Sequence, residues 1–67
     1  MCQSTVYLAK GEQKEQVMRE VTRLVPVEGG VRLETFFEEP RFVPGRVTQV
    51  DFLKHTVTLV PVKTDGG

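Results

Sequence analysis

The stretch Leu24-Val25-Pro26-Val27-Glu28-Gly29-Gly30-Val31-Arg32-Leu33-Glu34-Thr35 (residues 24–35) decides the fold class. Two short apolar runs flank a Glu-Gly-Gly centre, and glycine takes the positive φ of a tight hairpin without a Cβ clash. In the second run Val31, Leu33 and Thr35 face one way while Arg32 and Glu34 face the other, the period-two pattern of a half-buried strand.

Outward from the hairpin the rhythm persists. Ser4 to Lys10 alternates, with Val6 and Leu8 on one face, and Lys10-Gly11-Glu12 reads as a turn. From Glu12 to Leu24, Val17, Val21 and Leu24 sit at helical spacing, so an amphipathic helix competes. The β-branched residues around Val21-Thr22-Arg23-Leu24-Val25, and Pro26 directly after, favour two short strands with a break or bulge near Arg19-Glu20. Phe36-Phe37-Glu38-Glu39-Pro40 reads as a loop with two hydrophobic anchors. Arg41-Phe42-Val43 is extended, Pro44-Gly45 marks a bulge or corner, and Arg46 to Phe52 continues the extension. Leu53-Lys54-His55 is a turn before the strand Thr56 to Val60. These signals predict an all-β domain, a small SH3-like barrel of five or six antiparallel strands, over residues 1–64, with 65–67 as a flexible tail. Its expected core is Val6, Leu8, Val21, Val31, Leu33, Val47, Val57 and Leu59.

Sixty-seven residues support one small core, and chains of this size often lean on a disulfide, a metal or a partner subunit. Cys2 is the only cysteine, so no disulfide forms within the chain, and a secreted disulfide scaffold is disfavoured. No signal peptide or membrane-spanning run is recognisable, which makes a cytoplasmic protein the expectation and a membrane partner unexpected. Nine basic and nine acidic side chains cancel, which disfavours RNA as a partner. Arg41, Arg46, Lys54 and Lys63 are the candidates for a local basic face, against the simpler reading of a mixed solvated surface.

Catalysis is not expected. The one nucleophile–base pair available is Cys2 with His55, with no third group to orient it. Glu38-Glu39 reads as a solvated loop tip, and no His/Cys spacing closes a zinc site in one chain. His55 is expected to be an exposed turn residue. Cys2 is the distinctive position. With Met1 removed, its α-amine and thiolate can close a five-membered chelate ring; with Met1 retained, a backbone amide can supply the nitrogen. Either way one chain gives part of a coordination sphere, and a two-fold dimer completes two sulfurs and two nitrogens, a planar set suited to Ni(II) or Cu(II). The competing reading is an inert thiol.

Met1-Cys2, the hairpin Glu28-Gly29-Gly30-Val31-Arg32-Leu33, Gly45-Arg46-Val47 and Val50-Asp51-Phe52-Leu53-Lys54-His55 together resemble the CooT family, small accessory proteins of carbon monoxide dehydrogenase maturation. The resemblance runs from Met1 to about Val60, and only Cys2 carries the family's chemistry. It implies an SH3-like small barrel, a homodimer, and Ni(II) held at the subunit interface by Cys2 of each chain. It further implies a client nickel enzyme such as carbon monoxide dehydrogenase. The alternative is a non-metal interaction module that binds RNA or a protein through a barrel face.

Overall fold

The structure is a computed structural model and describes residues 3–62. Every regular element in it is a strand: β1 (Ser4–Lys10), β2 (Gln13–Val27), β3 (Gly30–Thr35), β4 (Arg41–Val43), β5 (Gly45–Asp51) and β6 (Thr56–Pro61). They form one six-stranded sheet in the order β4-β3-β2-β1-β6-β5, curled into a half-barrel. The helix that competed for Glu12 to Leu24 is absent.

The two strands at the sheet edges, β4 and β5, are consecutive in the chain and separated by Pro44 alone. The corner carries the chain from one edge to the other without a hairpin reversal. Four strands therefore alternate in direction, the fifth keeps the direction of the fourth, and β6 ends up parallel to β1. This corrects the expected all-antiparallel arrangement: the β1–β6 pair, with Thr5 opposite Thr56 and Leu8 opposite Leu59, is parallel, and the other pairs are antiparallel.

Two glycines make room for the corner. A Cβ on Gly30 would lie 2.9 Å from the Pro44 Cα and collide with the Val43 carbonyl oxygen, and one on Gly45 would lie 2.9 Å from the Val60 carbonyl oxygen. The Pro44 carbonyl accepts a 3.0 Å hydrogen bond from the Val62 amide, which ties the end of β6 to the same point. Gly29 has the different task expected of it, turning the β2–β3 hairpin at φ +85°.

β2 is one long strand rather than two short ones, and the expected break is a kink within it. Glu20 adopts φ +56°, a left-handed backbone for a non-glycine residue. Val21 just after it is where the strand changes partners, opposite Ser4 on one side and Thr35 on the other. Extra β2 residues shift the register against β1 between Ser4 and Tyr7. A bulge offsets the two-residue period, so the buried side chains fall at Met18 and Val21, three apart.

Val6, Leu33 and Leu59 are completely buried, and Met18, Val21, Val31 and Val43 join them. Leu8 and Val57 pack partly buried against this cluster, as does Leu24. Val47 was expected in the core and is 37% exposed: it lies on edge strand β5 beside a bulge between Val47 and Gln49. Met18 and Val43 take up core positions that alternation alone did not mark. Phe36 and Phe37, expected as anchors, are 78% and 67% exposed. Their loop is fastened by polar contacts instead. The Thr35 hydroxyl accepts from the Phe37 amide at 3.4 Å, and the Arg41 guanidinium donates to the Val17 carbonyl at 3.2 Å.

Two substitutions test this core. Leu33→Ala removes a fully buried side chain and should cost about 2–5 kcal/mol, a large part of the stability of so small a domain. Gly30→Ala should cost about 1–3 kcal/mol by forcing the Pro44 corner away from β3. Urea unfolding followed by circular dichroism reads both, and wild-type midpoints would contradict this packing.

Candidate functional site

Cys2 lies outside the described residues, as do Lys63 and the tail 65–67. What the structure does describe is the place where the chain enters the fold. β1 begins at Ser4 and occupies the middle of the sheet, between β2 and β6. The Thr5 amide donates a 3.0 Å hydrogen bond to the His55 carbonyl, and Thr5 pairs with Thr56. Cys2 precedes Thr5 by three residues in the sequence. The parallel β1–β6 pairing thus sets the His55 backbone beside the start of β1, although the two are about fifty residues apart in the chain.

The His55 turn is built by local chemistry. The Asp51 carboxylate accepts hydrogen bonds from the Leu53 and Lys54 amides, both at 3.0 Å, an Asx-type turn. His55 closes it with φ +56°. Its side chain is exposed, as expected, so the imidazole reaches solvent on the side where β1 starts. Phe52 and Leu53, in the same turn, are 84% and 89% exposed.

The other expected groups do not converge. Arg46 opens β5 while Lys54 lies beyond its far end, and Arg41 is engaged with Val17, so these bases share no single face. Glu38 and Glu39 are exposed loop residues. Among the described residues no cluster of three or more His, Cys, Asp or Glu is arranged to hold a metal. A shallow cleft of about 300 Å³ beside Val17–Glu20, Phe37 and Arg41 contains no nucleophile–base pair. Among the described residues no helix is long and apolar enough to cross a membrane.

The strongest electrostatic cluster is on β2 and β3, away from the start of β1. Arg23 grips the Glu34 carboxylate with two nitrogens, at 2.9 and 3.2 Å, and Arg32 reaches it at 3.2 Å. The Arg23 hydrogen bond first, and then the positive charge of both arginines, hold the Glu34 pKa below the ordinary carboxylate value against an opposing effect of desolvation. This cross-strand cluster braces the sheet.

Comparison with known proteins bears on the fold and on the start of the chain together. The model of the CooT family, described as a CO dehydrogenase accessory protein, matches residues 1–60. The chain belongs to the CooT family. The crystal structure of a provisionally assigned CooT from Carboxydothermus hydrogenoformans superimposes with a TM-score of 0.82 at 22% identity, over 90% of this chain and 97% of that one. No curated protein sequence matches. The all-β small-barrel fold and the family expected from the residues therefore both stand, and the family is one of accessory proteins.

The Glu34 cluster yields a pH prediction. A lowered folded pKa gives stability that is complete above the unfolded carboxylate value and is lost as pH falls through the lowered value. Glu34→Gln should accordingly be less stable than wild type near neutrality, with the gap closing in acid. Urea midpoints measured between about pH 7 and pH 2 would show the convergence; a constant gap would detach the effect from this carboxylate.

Proposed function

We propose that this CooT-family chain is a homodimeric Ni(II)-binding accessory protein, metallochaperone-like, whose metal is held between subunits by Cys2 of each chain. The observation that supports it most is the family match over residues 1–60, which includes the Met1-Cys2 start. Nickel is cargo on this reading, and the client is carbon monoxide dehydrogenase, the enzyme in the family's description.

The donor chemistry fits. Cys2 is the sole thiol, so one chain supplies one sulfur, and an N-terminal amine or backbone amide adjoins it. Four-coordinate planar nickel needs more donors than that, and a second copy doubles them. The metal would supply a thiolate-bound, readily exchanged centre suited to transfer. The chain's own contribution on this reading is β1, paired on both sides by β2 and β6, which follows directly on the Cys2 end of the chain. His55 is left outside the proposed ligand set, an exposed ring being the ordinary outcome for a turn residue.

Titration with Ni(II), followed by absorbance and heat, tests the reading. Wild type should develop thiolate-to-nickel charge-transfer bands that saturate at one metal per two chains. A free thiol ionises near pH ~8.5, so uptake releases protons and weakens as pH falls. Cys2→Ser should lose the bands and most of the affinity, while His55→Ala should keep both. Equal binding by Cys2→Ser would sink the proposal, and loss confined to His55→Ala would move the site to the β5–β6 turn. Because Cu(II) generally binds such donors more tightly, affinity ranking between metals does not decide which one is physiological.

A further inference from the structure

The two edges of the sheet join at the Pro44 corner, and beyond it β5 pairs with β6 alone among the described residues. Residues 46–50 are all exposed, Val50 by 44%. Register fixes where the backbone groups of this edge point. The Val62 amide donates to the Pro44 carbonyl, so Pro44 and Val62 form a hydrogen-bonded pair. Bonded and non-bonded pairs alternate along an antiparallel ladder. Arg46, opposite Val60, is therefore bonded to β6, while Val47, opposite Leu59, turns its N–H and C=O outward. Outward backbone groups on an edge are a template for a further strand. The other edge is blunted, because β4 has three residues and Pro44 follows it. β5 has seven, with neither proline nor lysine among them.

What lies beside β5 describes the strand it would accept. An apolar cleft of about 350 Å³ opens between the start of β5 and the β2–β3 hairpin, with Val27, Val31, Gly45, Val47 and Val62 in its walls. Arg46 lies at the start of β5, and Lys54 lies in the turn beyond its end. Among the described residues the ion pairs are Lys10–Glu15, Arg23–Glu34 and Arg32–Glu34, so Arg46 and Lys54 engage none. Asp51, the acid of this strand, is turned to the Leu53 and Lys54 amides. The Thr48 hydroxyl donates to the Thr58 carbonyl at 3.3 Å across the bulge, which pins the edge to β6.

We propose that β5 is a docking edge for an extended segment of another protein. The segment adds as a seventh strand, sets an apolar side chain in the cleft beside Val47, and carries acidic side chains near its ends to face Arg46 and Lys54. Seven residues of strand span about 24 Å at ~3.4 Å each, the length of this edge. Backbone bonds supply most of the affinity, since exposed ion pairs contribute little, and the cleft and end charges supply selectivity. The contact makes no use of Cys2 and does not rest on the metal reading.

The test uses isotope-labelled, metal-free protein and a synthetic peptide, acetyl-Glu-Val-Thr-Val-Thr-Val-Glu-amide, with a twin that has lysine at both ends. In nuclear magnetic resonance spectra the acidic peptide should saturably shift the amides of Gly45–Asp51 and of residues 27–31. It should also slow solvent exchange of the Val47 amide roughly tenfold or more. The acidic peptide should bind about fivefold more tightly than its lysine twin, and R46E/K54E should reverse that order. Val47→Pro removes the outward donor but no bond to β6, so it should stay folded by circular dichroism and bind roughly tenfold more weakly. Shifts confined to other surfaces, unchanged binding by Val47→Pro, or a preference that ignores R46E/K54E would each overturn the proposal. So would β5 shifts that follow protein concentration alone, which would make a second copy the occupant. If Val47→Pro unfolds, the Val47 exchange rate and the charge reversal decide.

Discussion

The corner at Val43-Pro44-Gly45 is the constraint on which the rest of the fold depends. A flat six-stranded sheet would leave two distant edges, each with unpaired backbone groups. Here the edges are successive stretches of one chain, so the sheet has to curl until they meet. The curl encloses Val6, Leu33 and Leu59 and accounts for the compact core of a 67-residue chain. The approach is possible because Gly30 and Gly45 present no Cβ to the corner, and because Pro44, lacking an amide hydrogen, gives up no ladder bond there.

Curling has consequences along β2. A strand that pairs with β1 over its first half and β3 over its second has to rotate between them. The bulges against β1 and the left-handed Glu20 provide that rotation. The Arg23–Glu34–Arg32 cluster lies just past the kink, where β2 has taken up β3, and links the two strands at the surface. Thr22 adds a hydroxyl bond to the Glu34 carbonyl at 3.2 Å. Local strain at Glu20 is thereby followed at once by dense cross-strand bonding.

The direction-preserving corner also brings distant stretches of the chain side by side. Because β6 runs parallel to β1, the turn before β6 sits beside the start of β1. The Asp51-capped turn, the exposed His55 and the first residues of β1 become one neighbourhood although they are separated by half a hundred residues of chain. The exposed Phe36-Phe37 and Phe52-Leu53 pairs follow β3 and β5, each two strands from β1 in the sheet.

Much of this was legible in the residues. The Gly29-Gly30 hairpin, the alternation of Val31, Leu33 and Thr35, the punctuation by Gly11 and Pro44-Gly45, and the break near Glu20 are local signals, set by what each side chain permits its own backbone. They determined an all-β fold, most of its strands and the larger part of its core. The family likeness, and with it Cys2 as the residue to watch, was likewise written in short stretches of sequence. Tertiary structure alone decided the parallel β1–β6 pair, because whether Pro44 reverses the chain or carries it onward depends on which edge it reaches. It alone decided that Val47 lies exposed on an edge, that Met18 and Val43 go inside, and that Phe36 and Phe37 stay in solvent, because burial depends on what the curl brings opposite each position. The nearness of His55 to the start of β1 belongs to the same class: contacts across the sheet are set by strand order and register, which no single segment encodes.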